Sequence, residues 1–555
     1  MAFTSFNFLV FVAATVLVYY VAPRKFRWLV LLAASYTFYL MSSPKTFVFI
    51  LLTTVITFLG GIQIDKANQE CREYIDAHKD SLSRDEKKAI KEQYKHSKKK
   101  HAAIVLIADF GILAILKYFR YYIEAMGIPG LSAMTGSLLI PLGISFYTFQ
   151  SAAYIIDIYR DKIRADRNIV KFALFTSFFP QIIQGPIARY DHLANQLYEG
   201  HSFEYNNLAH GAQLMLWGFF KKLVIADRVA IMVSAVFDNY QDYQGWAVFA
   251  ALIGYTIQIY GDFSGGIDIA RGVARCMGID MGHNFKRPYF SDSLSEFWRR
   301  WHMSLSFWCR DYIFFSISLS KTFGKMGKSL RKVLGDRVGK LFPVLCAQMA
   351  TFITIGLWHG AEFKYVAYGL YNGIVIISGL LLEPYFKKWI EALHINIESK
   401  GWKLFQILRT MLIVICGRVF PKAASFTVAL SMFASIFKFS NKLGIKDTIH
   451  AMGLTKYDYI VLFVGCLIWF CVSLIEEREE RLARAGEETG GSIVAGKATG
   501  VVSTIVETGA EFRNALDKKP LPVRWAVYIV AVMAVIIFGV YGVGYDASTF
   551  IYRGF

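Results

Sequence analysis

Apolar runs of roughly 20 residues recur along the whole sequence, each long enough as a helix to cross a ~30 Å hydrocarbon core. Backbone inside a bilayer must satisfy its own N–H and C=O groups, which leaves helices or a closed barrel, and runs this long and continuously apolar select helices. Over 555 residues the mean hydropathy is +0.38 and only 19% of residues are charged. The sequence therefore predicts an all-α polytopic integral membrane protein, with roughly 11–13 membrane helices and re-entrant segments.

A net charge of +19 would suit a nucleic-acid partner, but the positive residues cluster in loops between apolar runs. That is the positive-inside pattern, so it reads as topology: the partner is the lipid bilayer, and nucleic acid is not implied. The seven cysteines form no CxxC pair and no metal-ligand spacing, which argues against a disulfide framework and against a metal site. The first run lacks a basic leader and a small-residue cleavage site, so it is expected to be a retained span.

Spans are expected at Phe6–Val21, Trp28–Met41 and Thr46–Ile64. With the N-terminus outside, the basic loops Pro23–Arg27 and 65–101 both face the cytoplasm, the second as a solvated helical hairpin. Ala102–Ile123 and Leu138–Ile158 keep that parity, because the second ends on Arg160, Lys162 and Arg164. Ile169–Ile187 carries Pro180, Gly185 and Pro186 and is expected to be broken or kinked. Lys221, Lys222, Asp227 and Arg228 interrupt Leu208–Phe237, suggesting two half-helices or a partly interfacial helix with snorkelling lysines. In Ala247–Met277 the stretch Tyr260–Gly266 places Asp262 among glycines, as a helix cap at a break or as a cavity residue. The chain divides into a membrane core, 1–403, and additional membrane helices in 404–555, with a polar cytoplasmic loop at 476–524.

The chemistry concentrates in Phe297–Gly360, where His302 and His359 each adjoin a tryptophan at membrane depth. Titratable groups are costly there and usually line a substrate or proton path. As one helix, Phe297–Cys309 would put Trp298, His302 and Ser306 on one face, with Arg299 a turn before the histidine. A nearby like charge favours a neutral imidazole, able to act as a base or to hold a thioester or carboxylate. Arg299, Arg300 and Arg310 would suit an anionic, phosphopantetheine-bearing donor. A plain interfacial Trp/Arg belt explains the same tryptophans and arginines, and the histidine less well. His359 is poised to take a proton from a hydroxyl during acyl transfer, with Trp358 walling it from lipid and Gly360 permitting close approach. An interfacial histidine with satisfied hydrogen bonds is the bland alternative. No Ser-His-Asp signature, zinc motif, phosphate loop or dinucleotide fingerprint is present, which speaks against a hydrolase or an ATP-driven pump.

Five stretches in order carry a resemblance: PLGISFYTFQ (Pro141–Gln150), FPQIIQGPIARY (Phe179–Tyr190), YGDFSGGIDIARGVARCMG (Tyr260–Gly278), RPYFSDSLSEFWRRWHMSLSFWCRDY (Arg287–Tyr312) and LWHGAEFKYVAYGLYNG (Leu357–Gly373). Together they resemble the membrane-bound O-acyltransferase family, in particular its bacterial branch of alginate-type O-acetyltransferase subunits and teichoic acid D-alanyl transfer proteins. The resemblance implies a ring of tilted helices around a thin central reaction chamber, where a cytoplasmic donor tunnel meets an extracellular funnel. It implies that His359 is the catalytic histidine and His302 the second active-site histidine, moving an acyl group from a thioester to a hydroxyl. It further implies the bacterial cytoplasmic membrane, no bound cofactor, and an extracytoplasmic esterase-like partner that passes the group on. The extra membrane elements after Leu404 and an aromatic C-terminus resemble the alginate-type subunits. They point to O-acetylation of an exopolysaccharide, with acetyl-CoA as donor. The segment 476–524 matches nothing in the pattern. Two other readings stay open: D-alanyl transfer to teichoic acid from a small acidic acyl carrier protein, and a transporter or flippase relaying protons through the histidines. The latter predicts repeated halves, which the sequence does not show.

Overall fold

The computed structural model describes residues 1–126, 140–438, 444–488 and 515–541, and no strand occurs among them. Among the described residues, seven helices are long and apolar enough to cross a membrane: Pro44–Ala77, Arg84–Ile123, Lys321–His359, Phe363–Ala392, Lys400–Lys422, Lys456–Leu482 and Leu521–Phe538. Phe6–Val21 and Phe426–Ser435 are shorter apolar helices. The chain is an all-α, multi-pass membrane protein. The aromatic C-terminus, most of 476–524 and the link before Ile140 fall outside the described residues.

The N-terminal part is built on a hairpin of α1 (Phe47–Ala77) and α2 (Arg84–Ala114). A reciprocal capping box of Ser83 and Glu86 starts the second arm, satisfying two backbone donors that the helix cannot. The expected solvated hairpin is thus a continuation of two membrane helices. It docks on α3 (Ile144–Tyr159) through Asn68, whose amide donates to the Ile158 carbonyl at 2.7 Å. Ile169–Ser177 and Phe179–Gln184 form separate helices joined at Phe178, with Pro180 in the first turn of the second, where its missing N–H costs nothing.

The centre is α4 (Tyr205–Phe219), continued through a π-helical stretch Phe220–Ala226 and packed against α5 (Trp246–Cys276). Reciprocal glycines bring the two backbones together. A Cβ on Gly218 would lie 2.5 Å from the Gly265 carbonyl oxygen, and one on Gly265 would lie 2.8 Å from that of Gly218. Gly211 and Gly272 repeat the arrangement two turns away. Here the structure corrects two expectations. α5 runs unbroken through Tyr260–Gly266, because these glycines serve helix–helix approach and not a turn. The lysines do not snorkel: Lys222 is buried against Asp262 at 2.5 Å and Asp227 at 2.7 Å, and Lys221 against Asp268 at 2.6 Å. Asp262 is consequently a mid-helix residue in an ion pair, not a cap.

Beyond α5, Lys321–His359 is two helical arms meeting at Gly335, whose φ of 85° only glycine adopts at ease. The basic arm folds back, so a Cβ on Gly327 would lie 2.6 Å from the Gly339 carbonyl oxygen. The second arm ends on His359 and packs along Phe363–Ala392.

Candidate active site

Ser293 caps a short helix, α6 (Leu294–Arg300), and a second, α7 (Met303–Cys309), follows after two residues. Between them His302 takes the left-handed conformation, φ 44° and ψ 55°. Phe297–Cys309 is therefore not one helix, and Trp298, His302 and Ser306 do not share a face. The Trp298 indole donates to Asn372 Oδ1 at 3.1 Å, while the Ser306 hydroxyl donates to the Trp301 carbonyl at 3.3 Å.

The break is fixed by the neighbouring segment 283–288. Lys286 N–H donates to the Arg300 carbonyl, and Met303 N–H to the Asn284 carbonyl, both at 2.9 Å. The Asn284 side chain then fills the gap: its Oδ1 accepts from Ser304 N–H at 2.9 Å, and its amide lies 3.1 Å from His302 Nδ1. A non-glycine residue at positive φ costs about 1–2 kcal/mol, so this bracket holds the imidazole against local strain. The ring, 1% exposed, meets Phe263 edge-on at 4.8 Å between centroids and Trp358 at 5.4 Å.

His359 reaches the same indole from the other side. Its ring centroid lies 4.8 Å from Trp358 and 5.7 Å from Tyr368. The helix end that carries it leaves carbonyls without an intrahelical donor. A widened π-helical turn, Ile115–Phe119, and the helix that follows it, Arg120–Met126, donate to this end of the chain. The Lys117 ammonium donates to the Trp358 carbonyl, Tyr118 to Leu357 at 2.7 Å, and Tyr122 to Ala361 at 3.3 Å. Gly360 leaves the room that Tyr365 fills, since a Cβ there would lie 2.4 Å from the tyrosine ring.

The three sequence-selected arginines separate. Arg300 is held by Glu296 at 2.5 Å and Glu477 at 3.1 Å. Arg310 pairs with Asp311 at 2.8 Å near the surface, and Arg299 is exposed. Asp262 lies in the scaffold pair with Lys222 already described.

Four features escaped the sequence reading. Asn284 and Lys117 are ordinary polar residues until the fold brings them to the histidines. Arg418, 1% exposed, lies 4.3 Å over the Trp301 ring and donates to the Tyr368 hydroxyl at 3.3 Å. An arginine inside the apolar run Leu404–Phe420 was a readable signal. The fourth is an acidic helix end. Lys456–Glu488 continues past Ile475, where the sequence reading ends the span, and buries Glu476 and Glu480 against Arg287 and Lys286. These groups help line a small cleft of about 40 Å³ that reaches Asn284 and Met303, beside His302. Among the described residues no cluster of His, Cys, Asp and Glu is placed to hold a metal ion.

The model of the membrane-bound O-acyltransferase family matches residues 160–334. A probable alginate O-acetylase, AlgI, of Pseudomonas syringae pv. tomato is 30% identical over 482 residues, 85% of this chain and 82% of the relative. A peptidoglycan O-acetyltransferase of Helicobacter pylori is 30% identical over 298 residues, covering 49% and 53% of the two chains. A teichoic acid D-alanyltransferase of Bacillus subtilis is 30% identical over 257 residues, covering 46% and 62%.

Proposed function

This chain belongs to the membrane-bound O-acyltransferase family and is a multi-pass membrane O-acyltransferase, and on that premise we propose that it carries acetyl groups from a cytoplasmic thioester, acetyl-CoA, across the membrane for O-acetylation of an extracellular or cell-wall polysaccharide. One observation carries the reading: two buried histidines far apart in sequence flank a single indole, Trp358, with ring centroids 5.4 Å and 4.8 Å from it. Such a pair suits acyl transfer. His359 takes the proton of the acceptor hydroxyl as its oxygen attacks the thioester carbonyl, and His302 donates a hydrogen bond to the oxygen that gains charge. The C–S bond then breaks, and the thiolate leaves with the proton that His359 held.

The cleft beside His302 supports donor entry from the side that the positive-inside pattern makes cytoplasmic. Lys221, Arg271 and Lys286 line it and would meet the phosphates of a nucleotide thioester. On the opposite side an extracytoplasmic esterase-like protein would take the acetyl group to the polysaccharide. The protein would then lie in the bacterial cytoplasmic membrane with its N-terminus outside.

The test is turnover of radiolabelled acetyl-CoA by the purified protein in lipid nanodiscs, with and without such a partner. Wild type should release acetyl from CoA, and His359→Ala should lose at least ~10³-fold in rate while inserting normally. Full activity in His359→Ala sinks the mechanism. No turnover by wild type in either condition sinks acetyl-CoA as the donor.

A further inference from the structure

We propose that Arg418, assisted by Lys117, is a specificity-determining residue: the cations at the walls of the two histidines admit uncharged acyl groups such as acetyl and exclude acyl groups that carry a positive charge, such as an aminoacyl group. This rests on the reading of the chamber as the site of acyl transfer.

Arg418 follows the helix Lys400–Gly417, well outside 160–334. Its guanidinium spans the walls of both histidines. On one side it lies over Trp301, the residue before His302, and on the other it donates to Tyr368, whose ring flanks His359. Lys117 approaches from a third element, donating to the Trp358 carbonyl and lying 3.5 Å from the Ser145 hydroxyl.

A guanidinium keeps its proton in any protein environment, so Arg418 is a permanent charge. Inside a membrane protein its field is weakly screened. At ~8 Å and an effective dielectric of about 20, a second cation would be disfavoured on the order of tenfold to thirtyfold. An acetyl thioester carries no charge on its acyl group and escapes this penalty. An α-aminoacyl thioester brings an ammonium one bond from the reacting carbonyl and meets it in full. The relatives transfer both kinds of group, so the distinction is one that this scaffold must make somewhere.

The experiment compares three CoA thioesters on the nanodisc-embedded full chain: acetyl, D-alanyl, and D-lactyl, which replaces the ammonium by a hydroxyl of similar size. Histidine-dependent release of CoA is the readout. Wild type should turn over acetyl and lactyl thioesters and discriminate against D-alanyl by about tenfold or more relative to lactyl. Arg418→Met should shrink that D-alanyl-to-lactyl ratio, and Arg418→Lys should keep it. If Arg418→Met does not fold, Lys117→Met reads the same ratio, with a smaller change expected. Equal use of D-alanyl and lactyl thioesters by wild type overturns the inference. So does an unchanged ratio in the methionine variants, or rejection of lactyl along with D-alanyl, which would make size the criterion. Failure of wild type on all three thioesters overturns CoA thioesters as the donors, and this inference with them.

Discussion

His302 owes its place to one amide. Asn284 occupies the gap between two short helices and ties the imidazole, the Ser304 N–H and the Met303 N–H to a single side chain and its backbone. Asn284→Ala should lower acetyl-CoA turnover about tenfold or more, because a buried polar group left unmatched costs ~1–3 kcal/mol and the ring loses its orientation. Unchanged turnover in a well-folded Asn284→Ala protein would remove Asn284 from the positioning of His302. The left-handed backbone at His302 allows the chemistry to be separated from the fold. His302→Ala and His302→Gly should both lose most activity, yet the glycine variant should be more stable by about 1 kcal/mol, since only glycine relieves a φ of 44°. Thermal unfolding in detergent measures this; equal stability would mean that the conformation carries no strain. Both histidines were legible in the sequence because imidazoles at membrane depth are rare and expensive. Asn284 was not, because an asparagine 18 residues away in a polar stretch has no local signature.

At the scale of elements, the acidic end of Lys456–Glu488 clamps the segment that sets His302. Arg287 Nε lies 2.9 Å from Glu477, Lys286 lies 2.6 Å from Glu480, and Glu477 reaches Arg300 at 3.1 Å. Removing one partner of a buried ion pair costs about 3–5 kcal/mol when the other charge is stranded, and less at Glu477, whose partners Arg287 and Arg300 keep Glu476, Glu480 and Glu296. Glu477→Gln should therefore lower the unfolding temperature and reduce turnover together, and Glu480→Gln should do the same. Loss of neither would show the clamp to be dispensable. The end of that span was misjudged for a physical reason: a run of glutamates reads as solvated until its cations, some 177–194 residues earlier in the chain, are packed against it. Lys222 and Asp262 pose the same problem at a separation of 40 residues. Breaks governed by local covalent geometry, such as the one beside Pro180, were legible because they need no distant partner.

For the whole molecule, the basic hairpin and the basic arm Lys321–Gly335 fix an expected orientation with both on the cytoplasmic side. A cysteine introduced at exposed Ser81, in a background freed of the seven native cysteines, should react with a membrane-impermeant maleimide only after cells are permeabilised. Labelling of intact cells would invert the topology. The fold also has a history in time. Lys117 is synthesised 241 residues before the carbonyl that it holds. At ~5–20 residues per second that gap lasts on the order of 10–50 s. Until the ribosome has passed Ala361, the turn that will brace the helix end bearing His359 has nothing to brace. The seam that joins the two histidines is therefore a late product of translation, and the chain must carry a charged, half-finished edge until its other side arrives.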